Sequence, residues 1–209
     1  MAIAALGYAS LGWPVCQGAQ YRDQRPASAT GRSCSCDRVG CPAPGAHPLS
    51  PAWQLEASFD PAVVGQWWAA APRSSILLVT GRIFDVLDVP ASAGSAALAR
   101  LGEAGVSPGP VAAGPVAANT GGRTLFFVAS RTAAAEEDEW WSCHLDCEPE
   151  TVPAIAGLRW HCKDSYVLAP PSGLGGGTAR WLVPPDAAAL PDAVRLLEFL
   201  ADACEEISP

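Results

Sequence analysis

The residues with the clearest chemical potential are Cys34, Cys36, Cys41 and His47, spaced Cys-x-Cys-x4-Cys-x5-His. Three thiolates and one imidazole this close together can complete the tetrahedral shell of a Zn2+ ion. Gly40, Pro42, Pro44 and Gly45 lie between them and supply the tight turns that such a loop requires. The surrounding segment, residues 16–50, is rich in Cys, Gly, Pro and Ser, with few apolar residues. Metal binding would therefore contribute the folding energy that burial cannot. A closed set of four protein ligands leaves no open coordination position, so the expected role of the zinc is structural.

Other reactive side chains form less definite sets. Cys143, Cys147, His161 and Cys162, with His144 nearby, make a second group. Cys143 and Cys147 could share one helical face. His161 and Cys162 are adjacent, and neighbours on a strand point to opposite faces, so the pair is poorly placed to share one ion. Buried thiols and a second site both remain open for this group. Asp88 ends the apolar run Phe84–Val89, and Asp85 lies three residues earlier, on the other face of the same strand. A single carboxylate holds Mg2+ weakly and leaves it hydrated. Asp88 thus reads as a solvated strand-end acid or as the remnant of a metal site. Arg123 follows the turn residues Asn119–Gly122 and reads as a surface cation or a nucleotide contact. The glycine-rich segment Gly173–Gly177 is a flexible loop whose N–H groups could also approach phosphate.

The elements that must position these residues follow from pattern. A helix is expected over Ala2–Ser10. A second starts at Asp60 as N-cap with Pro61 in its first turn, and runs to Pro72. Ser75–Thr80 and Phe84–Val89 read as strands, and Ser95–Glu103 as a helix ending near Gly105. Val111–Ala118 and Thr124–Val128 suggest a hairpin. Glu136–Trp141 reads as a short helix or loop, Leu158–Trp160 and Tyr166–Ala169 as short strands, and Thr178–Val183 as the final strand. Within residues 187–209, Pro191–Glu206 reads as a closing helix with Val194, Leu197, Leu200 and Ala201 on one side. The sum is an α+β domain with a mainly antiparallel sheet flanked by helices.

Composition limits the function. The chain has 209 residues, 49% hydrophobic and 16% charged, which favours one domain over residues 1–209 rather than a disordered chain. The formal net charge is −8, and the 13 basic residues include a single lysine, Lys163. A tight nonspecific DNA clamp normally carries a basic surface, so any DNA or nucleotide binding is expected to be weak. The start of the chain shows neither a basic leader nor a long apolar stretch, so no membrane association and a cytoplasmic location are expected.

Several segments in order resemble the bifunctional DNA primase/polymerase N-terminal domain family, of actinobacterial type. They are Tyr8-Ala9-Ser10-Leu11-Gly12-Trp13-Pro14-Val15, Cys34 to His47 with Pro48, Trp67-Trp68, Thr80-Gly81, Phe84 to Val89, Gly121 to Phe127, and Tyr166 to Ser172. The resemblance extends to about Trp181. It implies an archaeo-eukaryotic-primase-type core with the zinc loop near its N-terminus. Active members carry Asp-x-Asp or Asp-x-Glu at a strand end, which holds two Mg2+ or Mn2+ ions for nucleotidyl transfer. Here Asp88 matches the first acid, and Pro90 stands in the place of the second. A Gly-Arg-His motif becomes Gly122-Arg123-Thr124, and the place of the third acid falls on Arg159 or its neighbours, with no acid until Asp164. The resemblance thus implies a degenerate, catalytically impaired primase/polymerase domain. It would persist as a nucleotide-, DNA- or protein-binding module linked to replication. The alternatives are an active nucleotidyltransferase with displaced ligands, with Mg2+ or Mn2+ as cofactor, or a zinc-stabilised protein-interaction module. Larger members carry an ATPase after this domain, so a replication protein or helicase is the expected partner.

Overall fold

Asp60 and Pro61 begin a helix for reasons local to both residues. The Asp60 carboxylate accepts from the Ala62 N–H at 2.8 Å, and Pro61 lacks the N–H that a first turn leaves unpaired. The computed structural model describes residues 1–22, 33–115, 122–130, 155–185 and 190–207. Cys143, His144, Cys147, the expected helix Glu136–Trp141 and the turn residues Asn119–Gly121 lie outside the described residues. The chain forms two compact units, one built from residues 1–79, 115–120 and 168–180, the other from residues 80–114, 121–167 and 181–209.

In the first unit, helices α1 (Ala2–Ser10), α2 (Trp53–Glu56) and α3 (Pro61–Ala70) accompany strands β1 (Val15–Gly18) and β2 (Ser75–Val79). β1 and β2 pair antiparallel with Val15 opposite Leu78. Every residue of β2 is buried, as a short apolar run between turn residues implies. β1 is too short, and too interrupted by Gln17 and Gly18, to show in the sequence. The Tyr8 and Trp13 rings stack 6.2 Å apart, and Trp13 and Trp68 are among the largest buried side chains.

The second unit holds strands β3 (Phe84–Pro90), β4 (Val111–Ala113), β5 (Arg123–Ala129), β6 (Arg159–His161) and β10 (Arg180–Val183) in the order β10-β4-β5-β3-β6. β3 lies between β5 and β6 and is antiparallel to both. Its period-two alternation gives the sheet two distinct faces. Leu87 and Val89 join Phe126, Val128 and Trp160 in one core with helices α4 (Ala91–Glu103) and α5 (Ala193–Ile207). Fully buried leucines such as Leu87, Leu101, Leu196 and Leu200 each contribute on the order of 2 kcal/mol of transfer free energy to that core. Gly94 lets α4 lie against β5, because a Cβ there would stand 2.4 Å from the Thr124 side chain. The whole is an α+β architecture with antiparallel sheets and flanking helices, as the sequence implies.

The expected strand Tyr166–Ala169 is present as β7 (Tyr166–Leu168), whereas several other elements differ from expectation. α4 begins at Ala91, directly after β3, because Pro90 acts as its N-cap with extended backbone. The expected strand Thr178–Val183 is broken at Ala179, whose N–H donates to the Ser172 carbonyl. Its start instead forms β9 (Gly177–Thr178), paired with β8 (Gly173–Leu174), so the glycine-rich loop is a short hairpin. α5 buries Ala193, Leu196, Leu200, Ala203 and Cys204, whereas Val194 is 53% exposed. The Asp192 carboxylate accepts from the Val194 N–H at its start, and the buried residues recur at helical spacing on a face that leaves Val194 outside.

Candidate functional site

The Cys/His loop is strapped beside β1. The Ala19 N–H donates to the His47 carbonyl, the Leu49 N–H to Gln17, and the Ser35 N–H to Gln20. The ligand atoms of Cys34, Cys36, Cys41 and His47 then lie within 4.8 Å of one another. His47 Nδ1 is 2.8 Å from the Pro48 carbonyl oxygen, and Nε2 is 3.2 Å from Cys34 Sγ. A carbonyl only accepts, so Nδ1 carries the ring proton of a neutral His47 and the Nε2 lone pair faces the sulfurs, as in metal-ligating histidines. Burial works to raise the Cys34 thiol, but backbone donors at Cys36 and Gly45 and contacts from the Cys36 and His47 side chains outweigh it and bring it down to about 6. Burial, together with the neighbouring Cys36 and Cys34, pushes Cys41 up to about 11. One thiolate forms easily in this cluster and a second is opposed by the first, a repulsion that a bound cation would relieve. Three sulfurs and one imidazole nitrogen converging on one point fit a structural Zn2+ site.

The second constellation is on β3. Asp88 is buried, at 5% exposure. Its Oδ1 accepts from Arg123 Nε at 2.7 Å, and its Oδ2 lies 3.4 Å from His161 Nε2. Arg123 Nη2 also donates to the Asp88 carbonyl at 3.0 Å and to the Gly157 carbonyl at 2.7 Å. His161 Nδ1 is 3.0 Å from the Ser165 hydroxyl. Register explains the grouping. Asp88 faces Leu125 on β5 and Arg159 on β6, so Arg123 and His161 are its diagonal neighbours on the same sheet face. Asp85 points to the other face, where the Trp160 indole N–H donates to its Oδ2 at 3.3 Å.

Among the described residues, those on this face do not fit a pair of divalent ions. The carboxylate of Asp88 is engaged by a guanidinium and an imidazole. The Pro90 side chain brings no ligand oxygen. Gly157, at φ +85°, packs against it so closely that a Cβ on the glycine would stand 2.9 Å from Pro90 Cγ. Arg159, exposed and directly opposite Asp88, adds positive charge where a cation would sit. Thr124 is turned the other way, against Gly94 of α4, so the Asp88 face is set by Arg123 and not by residue 124.

The structure thus brings Asp88 and Arg123 together, and the four zinc-loop residues together. It separates His161, which faces Asp88, from Cys162, which lies in the helix-covered core. The sequence reading missed the His161–Asp88 contact and the Gly157 carbonyl. The two-residue interval between Arg159 and His161 was the available signal, because it places both on one face of a strand.

No curated protein matches the chain. The model of the bifunctional DNA primase/polymerase N-terminal domain matches residues 5–193, across both units and both constellations, and the chain belongs to that family.

Proposed function

We propose that this protein is a single primase/polymerase-type domain that has lost nucleotidyl transfer and is retained as a nucleotide-, DNA- or protein-binding module linked to replication. The observation that carries this reading is the Arg123–Asp88 ion pair, with a 2.7 Å contact on one carboxylate oxygen and His161 beside the other. In a two-ion mechanism that carboxylate must be available to metal. Here a fixed guanidinium takes its place, Pro90 cannot supply a second acid, and Arg159 raises the local positive charge.

The same inversion supports weak binding of an anion at Arg123 and Arg159 without a divalent ion, the role left for Arg123 toward a nucleotide. The net charge of −8 opposes extended contact with a DNA backbone. A replication protein or helicase partner fits such a module. The Cys34, Cys36, Cys41 and His47 cluster is assigned a structural Zn2+; Mg2+ or Mn2+ would be needed only by an active enzyme. Among the described residues no helix is long and apolar enough to cross a membrane. The testing experiment is titration of nucleotide, Mn2+ and template-primer into the purified protein, followed by primer-synthesis and extension assays. Binding without synthesis supports the proposal, and metal-dependent synthesis overturns it.

A further inference from the structure

The hairpin β8–β9 lies in the first unit and takes no part in either constellation above. Ser172 fixes its base. The Ser172 hydroxyl accepts from the Ile76 N–H at 2.8 Å and is fully buried, which sets Gly173 beside the start of β2. The Tyr8 hydroxyl donates to the Pro170 carbonyl at 2.6 Å and ties the same segment to α1. These anchors shape an open cleft of about 320 Å3, within the size range of small-molecule sites.

The lining of this cleft is chemically one-sided. It includes one cationic residue, Arg73, the polar residues Gln20, Tyr21, Ser75 and Thr178, and Gly173. None of its nine lining residues is acidic. Met1 also lines it as the N-cap of α1, and no side chain caps that helix, so its first-turn N–H groups are available to an acceptor. Ser75, 3% exposed at the start of β2, also lines the cleft.

We propose that this cleft is a binding site for the phosphate group of a small molecule. Arg73 supplies the positive charge, Ser75 and Thr178 donate from their hydroxyls, and the uncapped start of α1 adds backbone donors. This convergence is the chemistry of a phosphate acceptor, with charge-assisted hydrogen bonds from a planar guanidinium at its centre. The site is independent of Asp88 and Arg123 and needs no divalent ion.

The test is calorimetric titration of the full chain, in the presence of a chelator of divalent ions other than its bound zinc, with inorganic phosphate, adenosine monophosphate and adenosine. Wild type should bind both phosphate compounds and not adenosine. Equal affinity for the two identifies the ion alone as the determinant. Tighter binding of the monophosphate identifies a phosphorylated metabolite. Arg73→Ala and Thr178→Glu, both at exposed positions, should each weaken binding by about tenfold or more, as loss or reversal of a charge-assisted contact requires. Arg195→Ala, which removes an exposed cation on α5, should leave binding unchanged. No binding by wild type, adenosine bound as well as its monophosphate, or Arg73→Ala indistinguishable from wild type would each overturn the proposal.

Discussion

Arg123 holds Asp88 by both its side chain and its backbone. Nε meets carboxylate Oδ1 at 2.7 Å and Nη2 meets the main-chain oxygen at 3.0 Å. This contact turns the residue that matches a catalytic acid into part of the sheet's own structure. Asp88 is nearly buried, so its carboxylate depends on Arg123 and His161 in place of water as hydrogen-bond partners. Arg123→Met should therefore destabilise the fold by about 3 kcal/mol, because it strands a buried carboxylate. Adding Asp88→Asn should recover part of the loss. Urea unfolding of the two single variants and the double variant measures the coupling, and additive effects would show that the pair contributes nothing.

The zinc loop makes a separate prediction. The purified protein should carry about one Zn2+ per chain, as a closed four-ligand site requires. Cys36→Ser should lose it. Metal analysis of both proteins decides, and equal zinc in the two, or none in wild type, contradicts the assignment.

Much of this was legible in the sequence, and the limits have physical causes. The Cys/His spacing needed only local turns, so Cys34, Cys36, Cys41 and His47 converge as their order implies. The α3 cap was readable because Asp60 and Pro61 act within one turn. Opposite orientations of Asp85 and Asp88 followed from strand alternation, and the structure pairs them with Trp160 and Arg123 respectively. The Asp88–His161 contact was readable only in part: the Arg159–His161 interval puts both on one strand face, but the partner across the sheet depends on the register of β6 against β3 over more than seventy residues. Nor was the orientation of Thr124 evident, because the motif order hides which of Arg123 and Thr124 shares the face of Asp88. Of the expected α5 face, Leu200 is buried and Leu197 packs on the core, whereas Val194 is exposed, because the stripe is centred on Ala193, Leu196, Leu200 and Ala203.

Alkaline pH should expose the burial of Cys16. Burial first, and Glu56 second, push its thiol up to about 12 from 9.0. Below the ordinary value the thiol is neutral in both states and its contribution to stability is complete. As pH rises from about 9 toward 12, only the unfolded chain ionises at this position, so stability falls by at most about 1.4 kcal/mol per pH unit. Denaturation midpoints at about pH 8 and about pH 10 should drop more in wild type than in Cys16→Ala. An equal drop in both would place the alkaline sensitivity elsewhere.

DNA binding should be weak and strongly salt-sensitive for single strands and duplexes alike, because the chain as a whole repels phosphate. Fluorescence anisotropy across a salt series reads this directly. Tight binding at physiological salt would mean that a local basic surface overrides the net charge of −8.

Primer synthesis and extension assays with Mg2+ and with Mn2+ decide whether nucleotidyl transfer is lost, as proposed. Transfer requires ions held where they activate the attacking oxygen and stabilise the leaving pyrophosphate. Asp88 is engaged by Arg123, Pro90 offers no ligand, and Arg159 stands opposite. Pro90→Asp alone should not restore activity, since Arg123 and Arg159 remain. Wild type, Asp88→Ala and Pro90→Asp should all give background synthesis; robust synthesis by wild type that disappears in Asp88→Ala would overturn the proposed loss and make Asp88 a working metal ligand.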